Sequence, residues 1–406
     1  MRYYIGVDWG DTEHAVWVED EAATKVASRV LPQTAAAFAE WGRWLDERRA
    51  EGVELWAAIE RPDGRVVDFL LDHGVVVYAL NPKALDRARD RFRMSGAKSD
   101  PFDARVAASF LRTDHHHLSP LRPSSEAAQE LKALTRDYAR QVRQQTRLLN
   151  QLTITVKEYY PRALDVCGDF TSRWARQFLR AYPTPAALGR LTERQWQRWS
   201  RGQRLSPERI AELWSQLQAP QLPVPEHVVR VKARRLAVLL EQLEVTSAAV
   251  GAYRQAVEDF FATLPAAEWA ATLPGGRSGT TVPSLWAELG DAAGRWASVQ
   301  HLQGHAGTVP VTERSGQAHV VKFRFACNTH LRVAVHQLAF LSLRSSEWAR
   351  AYYDRCRERG HSHHHALRAL GAKWLKIIFA MWSRQVPYDE QYHLANIGRH
   401  TLRQPA

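Results

Sequence analysis

The first 115 residues alternate short apolar runs with amphipathic segments of helix length. Short apolar runs predict strands, whereas apolar positions that recur every three or four residues predict helices. Strands are predicted at Tyr3–Trp9, His14–Glu19, Lys25–Leu31, Val53–Ile59 and Val75–Leu80, with helices at Ala35–Arg49 and Val66–His73. This alternation is typical of an α/β layer architecture. Because Val75–Leu80 is almost uniformly apolar, we expect it to be a central strand buried on both faces.

The pattern becomes helical after Ser124. Apolar residues from Leu131 to Val156 recur at steps of three and four, which predicts an amphipathic helix of about thirty residues. Its polar side carries a stripe of four arginines, Arg136, Arg140, Arg143 and Arg147. A second long helix with a heptad-like apolar stripe is predicted from Glu226 to Thr263. The two helices form either an arm that makes a coiled-coil contact between chains or a pair packed within one chain.

Proline-rich segments divide the rest of the chain. Prolines interrupt a set of short helices in residues 160–218, and Ala219–Pro225 is the clearest linker. We therefore expect three domains: an α/β domain at 1–122, a helical arm at 123–265 with the linker near 219–225, and a mainly α-helical domain at 266–406. The polar tail after Pro387 has no clear periodicity.

Composition narrows the functional class. The 406 residues include 55 Lys and Arg against 43 Asp and Glu, a net charge of +12, which favours a polyanionic partner such as nucleic acid. An apolar share of 45% excludes a disordered chain. No apolar run reaches the ~18 residues that span a bilayer, so we expect no membrane association. Three cysteines without CxxC spacing exclude a disulfide scaffold, and Met1-Arg2 leads straight into a strand, so we expect a cytoplasmic protein.

Four carboxylates follow the predicted strands or open a helix. Asp8 ends the first strand, Glu60 ends a later one, and Asp100 and Asp103 lie three apart around Pro101, which suits the first turn of a helix. Each pair by itself is typical of a helix cap or a solvated face. Together, carboxylates that converge from several elements are what Mg²⁺-dependent phosphoryl transfer requires. We therefore expect these four acids to bind Mg²⁺.

Basic residues cluster in three places, of which the second is the arginine stripe containing Arg140, Arg143 and Arg147. The first, just before the paired acids, comprises Lys83, Arg87, Arg89, Arg91 and Arg93, and suits contacts with phosphates as well as a solvated face. The third comprises Arg314, Lys322, Arg324 and Arg332 and surrounds Ser315, which precedes Gly316 in an expected loop. These cations would neutralise a phosphodiester attacked by the serine and lower the cost of ionising its hydroxyl, although a Ser-Gly pair is more commonly a plain turn.

The order of these motifs resembles that of insertion-sequence transposases of the Piv/MooV type, also called DEDD transposases or bridge-RNA-guided recombinases. The resemblance covers nearly the whole chain and rests on several short segments: Ile5–Asp8, Ile59-Glu60, Lys98–Ala104, Leu273–Gly275, Ala287–Asp291, Ser315-Gly316, Ala326–Asn328 and Leu331-Arg332.

The resemblance implies a RuvC-like N-terminal domain of the RNase H fold, a coiled-coil arm and a C-terminal transposase domain. It implies that Asp8, Glu60, Asp100 and Asp103 bind Mg²⁺ and that Ser315 attacks DNA, leaving a phosphoserine link and a free 3′-hydroxyl. It further implies pairing of a noncoding bridge RNA with donor and target DNA, dimers that assemble into a tetramer, and a place at the bacterial nucleoid.

Two departures and two alternatives accompany this resemblance. The segment Gly276–Gly279 places a second serine, Ser278, beside a glycine, so either serine could be the nucleophile. Thr329-His330 stands where the family often has a proline after asparagine. One alternative function is a hydrolytic RuvC-like nuclease that uses only the four carboxylates and water. The other is a non-catalytic protein that binds RNA or DNA through its positive charge.

Overall fold

The computed structural model describes residues 1–62, 64–92, 99–203, 205–316 and 318–401. The chain divides into two compact units. The first comprises Met1–Ser124 with Ala292–Arg295, and the second comprises Ser125–Asp291 with Trp296–Ala406.

A five-stranded mixed sheet forms the centre of the first unit. Its elements are β1 (Arg2–Asp8), β2 (Glu13–Glu19), β3 (Lys25–Pro32), α1 (Ala35–Ala50), β4 (Glu54–Ile59), α2 (Arg65–Asp72), β5 (Val76–Ala79), α3 (Pro82–Arg89) and α4 (Asp100–Asp114). The strand order is β3-β2-β1-β4-β5; β1–β2 and β2–β3 are antiparallel, whereas β1–β4 and β4–β5 are parallel. The predicted α/β class is confirmed.

The position predicted for the last strand is wrong. We expected Val75–Leu80 to be central, but β5 lies at the end of the strand order. Val77 and Tyr78 pack into separate hydrophobic cores on the two faces of this edge strand, whereas Val76 at its start is 37% exposed. The outer edge is also covered, because Leu121 N donates a hydrogen bond to Val77 O at 2.7 Å. The uniform apolar pattern therefore reflects burial of the two faces and not a place at the middle of the sheet.

Side chains alternate between the two faces of β1. Ile5 and Val7 pack on the side that faces α1 and α2, whereas Tyr4 packs on the side covered by α4. Gly6 is on that second side, where a Cβ atom would lie 1.8 Å from Ala104 O and 2.6 Å from Ala108 N. Only a glycine permits such an approach of helix backbone to strand backbone. The contact fixes the first turn of α4 beside the end of β1.

The second unit is helical apart from one hairpin. Its elements are α5 (Glu126–Tyr159), α6 (Pro161–Cys167), α7 (Arg173–Ala181), α8 (Pro185–Gly189), α9 (Glu193–Ser200), α10 (Pro207–Gln218), α11 (Glu226–Ala262), α12 (Ala266–Ala270), α13 (Thr281–Leu289), α14 (Val299–His305), β6 (Val311–Ser315), β7 (Ala318–Lys322), α15 (Thr329–Ser345), α16 (Glu347–Glu358), α17 (His363–Arg384) and α18 (Glu390–Thr401). Pro161, Pro185 and Pro207 each begin a helix, as expected of a residue that lacks an N–H donor.

The two long helices pack on each other within one chain. Leu148 and Leu152 of α5 share a buried cluster with Leu240 and Leu243 of α11. Gln145 Nε2 donates a hydrogen bond to Ser247 Oγ at 2.9 Å, and Glu158 pairs with Lys232. Since higher numbers on α5 meet lower numbers on α11, the pair is antiparallel. The structure thus realises the alternative of a pair within one chain, and a contact between chains stays a prediction.

The C-terminal helices enclose a second core of this unit. Leu285, Leu338 and Trp374 are buried together in it. This agrees with the mainly α-helical region that we predicted, apart from the β6–β7 hairpin. The polar tail after Pro387 contains α18, a helix that the periodicity did not predict. Individual contacts hold this helix, such as the hydrogen bond from Ser346 Oγ to Glu390 Oε1 at 2.7 Å. In the described parts of the chain, every helix is too short or too polar to cross a bilayer.

We predict that Gly6→Ala destabilises the first unit by about 3 kcal/mol, the upper part of the usual range for overpacking. The added Cβ meets backbone atoms, which cannot rotate away as a side chain would. Thermal unfolding followed by circular dichroism measures the effect. Gly251→Ala is the control, because Gly251 lies within α11 with open space around its Cα and should gain stability. An unchanged midpoint for Gly6→Ala would show that the contact is not tight.

Candidate active site

Two of the predicted acids project from the face of the sheet that α4 covers. Asp8 is the last residue of β1 and has the same orientation as Gly6. Glu60 directly follows β4, whose Ile59 pairs with Val7 in the parallel register. Parallel strands end at the same edge of a sheet, so the two carboxylates share one edge.

The first turn of α4 supplies the other two acids. Ser99 is the N-cap, and Asp100 and Pro101 are the first helical residues, so Pro101 lies in the first turn as predicted. Asp103 is buried at 8% exposure, whereas Asp100 is exposed. The contact of α4 with Gly6 brings this turn to the end of β1. The four acids therefore lie on three segments of the chain, near enough for the charges of the other three to act on Asp8.

The pKa of Asp8 reflects the nearness of the other acids. The pKa of Asp8 is raised from its ordinary 3.8 to about 6, first by burial and then by the charges of Asp103, Asp100 and Glu60, while Arg89 lowers it. The four predicted acids are thus close enough to disfavour the ionised form of Asp8. One positive charge does not compensate for them.

Arg89 holds the buried acid of this group. Its Nε donates to Asp103 Oδ1 at 2.6 Å and its Nη2 donates to Asp103 Oδ2 at 3.1 Å. Arg89 also contacts Asp86 Oδ1 at 2.9 Å. We predicted Arg89 as a phosphate contact on sequence grounds, but here it neutralises a carboxylate. Spacing alone could not show this pairing, because the two residues meet only through packing of α3 against α4.

The other members of the first basic cluster differ in their surroundings. Lys83 and Arg87 are exposed on α3. Arg91 is exposed but pairs with Asp114 at 3.3 Å. Arg93 lies outside the described residues. The exposed cations of α3 thus remain the members of this cluster best placed to contact phosphates.

The four acids meet some of the requirements of a divalent metal ion. Four carboxylates offer the oxygen ligands that Mg²⁺ prefers, and the charges of the other three acids add to the effect of burial in raising the pKa of Asp8. Within the described ranges, however, no three acidic, histidine or cysteine side chains come close enough together to hold a metal ion. The donors therefore fit the ion in kind, but the described side chains are not gathered closely enough to hold it, and Arg89 occupies the side chain of Asp103.

Ser315 lies at the tip of the β6–β7 hairpin. It is the last residue of β6, pairs with Ala318 across the hairpin and is exposed. We expected it in a loop; instead the strand ends at Ser315 and the turn begins at Gly316, whose φ of +56° favours glycine. The alternative serine, Ser278, is also exposed and lies in the turn between α12 and α13.

The cations around Ser315 are not equivalent. Arg314 is exposed beside the serine, and Lys322 pairs with Glu313 at 2.6 Å. Arg324 Nε donates to Val309 O at 3.3 Å. Arg332 donates to Arg324 O and lies 4.6 Å from the centre of the Phe323 ring. Arg324 and Arg332 thus brace the segment that follows β7, whereas Arg314 remains open to a ligand.

Sequence reasoning missed the role of Glu288. This residue is 2% exposed, and Arg136 contacts both its oxygens, Nε to Oε1 at 2.8 Å and Nη2 to Oε2 at 3.1 Å. Asn328 Nδ2 donates to Oε2 at 2.7 Å, and Asn328 Oδ1 caps α15 by accepting from Leu331 N. These hydrogen bonds lower the pKa of Glu288 even though burial by itself would raise it. A glutamate within an apolar helix was the available signal.

Arg136 therefore differs in its contacts from the other arginines of the α5 stripe. It is engaged with Glu288, whereas Arg140, Arg143 and Arg147 are exposed farther along the helix. Arg140 contacts Asp137, one turn away on the same helix. The part of the stripe that can meet a nucleic acid is thus the outer part.

Comparison with known proteins gives matches to two protein families. Residues 5–161 match the DEDD transposase family of IS110, and residues 268–354 match the transposase family of IS116, IS110 and IS902.

Individual relatives match along almost the whole chain. The transposase assigned to the mini-circle IS117 of Streptomyces coelicolor is 33% identical over 403 residues, which is 96% of both chains. The 42 kDa protein of insertion element IS900 from Mycobacterium paratuberculosis is 27% identical and covers 93% of this chain and 95% of its own. RuvC of T. thermophilus, solved with a Holliday junction, has 16% identity and a TM-score of 0.23, covering 30% of this chain and 100% of its own. That score is too low to support an inference about fold.

We predict that Asp8→Asn raises the melting temperature at about pH 7 in buffer free of divalent ions. In the folded protein the pKa of Asp8 is about 6, above its ordinary 3.8. The stability contribution of its proton is therefore complete below about pH 4 and is lost as the pH rises through about 6. We expect a gain of about 2 °C, because partial exposure of Asp8 weakens the effect.

Titration of Mg²⁺ completes this test. An ion held by the carboxylates stabilises the folded wild type by mass action and should stabilise Asp8→Asn much less. Asp72→Asn, which alters an exposed acid at the end of α2, is the control and should match the wild type throughout. Equal melting temperatures and equal Mg²⁺ responses for Asp8→Asn and wild type would contradict the site.

Proposed function

Because this chain belongs to the IS116/IS110/IS902 family of transposases, we propose that it moves its element by serine-mediated cleavage and exchange of DNA strands. The chain is a DNA transposase. Beyond this activity, we propose that the enzyme uses a metal ion, a serine nucleophile and a guide RNA. The convergence of Asp100, Asp103 and Glu60 on Asp8 is the observation that carries this proposal.

In the proposed site, Asp8, Glu60, Asp100 and Asp103 hold Mg²⁺ on a sheet of the RuvC and RNase H type. When bound, the ion supplies positive charge that stabilises a phosphodiester under attack. Arg89 then has a second role. The guanidinium of Arg89 contacts Asp103. If Asp103 exchanged this contact for another one, Arg89 would be available to bind a DNA phosphate beside the same acids.

Ser315 is the proposed nucleophile. Its Oγ attacks the phosphorus of one DNA phosphodiester, the bond from phosphorus to the 3′-oxygen breaks, and the serine proton is released while the 3′-oxygen gains one. The products are a phosphoserine diester and a free 3′-hydroxyl, so one ester replaces another without an external energy source. Attack on that diester by the 3′-hydroxyl of the other strand restores Ser315 and completes the exchange.

The position of Ser315 supports this assignment over Ser278. A serine at the tip of a hairpin can approach a DNA backbone without obstruction, and Arg314 next to it can neutralise the phosphate. Ser278 precedes Gly279 in a turn before α13 and has Arg277 as its neighbour. Both serines are exposed, so the choice rests on the hairpin and on the denser positive charge around it.

We also propose that a noncoding RNA guides the enzyme and that the outer arginines of α5 bind it. Arg140, Arg143 and Arg147 form a cationic face apart from both the carboxylates and the hairpin in sequence. Positive charge of this kind binds nucleic acid backbones without regard to sequence, which suits an RNA whose own bases select the DNA.

For oligomers, we propose dimers that assemble into a tetramer through the arm. Val231, Val238 and Val245 repeat every seven residues on α11 and are 66%, 49% and 73% exposed. An exposed apolar stripe at this spacing suits a helix of a second chain. Sedimentation velocity of the full chain measures the state, and a monomer at all concentrations and in the presence of DNA would contradict it.

We predict that Ser315→Ala lowers covalent attachment of DNA by at least about 1,000-fold, because no other group can replace the attacking hydroxyl. The protein is incubated with end-labelled cognate DNA, the RNA encoded beside it and Mg²⁺, then denatured and separated on a gel. Ser278→Ala is the matched control and should form the adduct at the wild-type level.

The outcomes separate the candidate functions. An adduct from Ser315→Ala would mean that the nucleophile is another residue. Cut DNA without an adduct from the active wild type would favour the hydrolytic nuclease. DNA that stays intact under every metal condition would favour the non-catalytic binder.

A further inference from the structure

A basic pocket lies in the second unit, between α17 and the segment that follows β7. Its volume is about 510 Å³. Positively charged side chains line it from two sides, Lys322 and Arg324 from the hairpin side and Arg368, Lys373 and Lys376 from α17. No carboxylate is among its lining residues as far as the structure describes the chain. A pocket of this size and sign can hold one nucleotide with its phosphate.

The three cations that α17 contributes to the pocket stand apart from acidic side chains in the part of the chain that the structure describes. In the described ranges, no ion pair involves Arg368, Lys373 or Lys376. Burial lowers the pKa of Arg368, and the neighbouring Arg332 lowers it further. Positive charges placed together and partly removed from water raise the free energy of the pocket until an anion enters.

Aromatic rings continue the pocket toward solvent. Phe323 lies between two guanidinium groups, since Arg332 and Arg368 are each 4.6 Å from its ring centre. Phe325 contacts Phe323 edge-on with ring centres 4.9 Å apart, and Phe325 is 80% exposed. An exposed ring beside cations is the arrangement on which unpaired bases stack, whereas bases within a duplex already stack on their neighbours.

We infer that this pocket binds an unpaired nucleotide of a DNA or RNA strand, with its phosphate against Arg368, Lys373 and Lys376 and a base on Phe325. The inference deepens the proposed function and rests on it, because the pocket continues from the hairpin that carries Ser315. It assigns α17 to substrate binding, which the basic clusters recognised in the sequence did not include. A strand opened near the serine would thereby be held in single-stranded form.

The test measures binding of labelled oligonucleotides to the full chain by fluorescence anisotropy across a salt series. The probes are an unstructured single strand of about 12 nucleotides, as DNA and as RNA, and the matching DNA duplex. Arg368→Gln and Lys373→Gln should each weaken single-strand binding about five-fold and reduce the salt slope by about 0.7. Phe325→Ala should weaken it about ten-fold with an unchanged salt slope.

Matched controls remove the same groups elsewhere in the second unit. Arg190→Gln deletes an exposed charge before α9, and Phe340→Ala deletes a ring that is 46% exposed on α15. Both should bind single strands like the wild type. Melting temperatures of all variants confirm that the exposed substitutions leave the fold intact, and Lys376→Gln replaces any variant that fails this check.

The outcomes separate this inference from the proposed function. Selective loss of single-strand binding supports the pocket, and the DNA and RNA probes identify which strand it takes. Equal losses on single strand and duplex, or equal losses in the controls, would overturn it. Ser315→Ala should keep full single-strand binding. If that variant also kept recombination activity, the assignment of Ser315 as nucleophile would be wrong, whereas the inference about the pocket would still hold.

Discussion

The contact between Gly6 and the backbone of α4 is the constraint on which the first unit depends. A Cβ at this position would lie 1.8 Å from Ala104 O, so any other residue would push the helix off the strand. The same contact brings Asp103, the neighbour of Ala104, to the end of β1 where Asp8 projects. The packing of α4 on β1 therefore also sets the electrostatics of the acids. Carboxylates that repel one another stay near one another because separating the helix from the sheet would cost packing free energy.

The second unit is organised by a buried charge. Glu288 lies 2% exposed and receives hydrogen bonds from Arg136 of α5 and from Asn328, which caps α15. Removal of either partner would leave a buried charge uncompensated, a change that typically costs about 3–5 kcal/mol. Three helices are therefore fixed around one carboxylate, and the hairpin that carries Ser315 precedes one of them.

The sequence predicted the elements of the first unit well because strand and helix periodicity both follow burial. The assignment of four acids to one metal site stays a prediction, although the strand ends and the helix start that place these acids can be read from local pattern. Prediction from the sequence failed where partners come from distant segments. The edge position of β5 depends on cover by Leu121, and the pairing of Arg89 with Asp103 depends on how α3 packs.

The same limit applies to the second unit. Arg136 has the spacing of a solvated stripe, yet it binds Glu288, which is 152 residues away in the sequence. The cations of α17 have the pattern of an ordinary exposed helix face, and only their meeting with the segment after β7 makes a pocket. The roles of these polar residues therefore depend on tertiary contacts, whereas the roles of apolar residues can be predicted from the periodicity of the sequence.

We propose that the carboxylates around Asp8 and the hydroxyl of Ser315 serve one cleavage step. The most direct test is the yield of covalent DNA adduct from Asp8→Asn in Mg²⁺, with Asp72→Asn as the control. We predict that Asp8→Asn binds DNA normally but forms at least about 100-fold less adduct, as expected when a catalytic carboxylate is removed. Adduct at the wild-type level from Asp8→Asn would contradict the account, because the serine would then act without the acids.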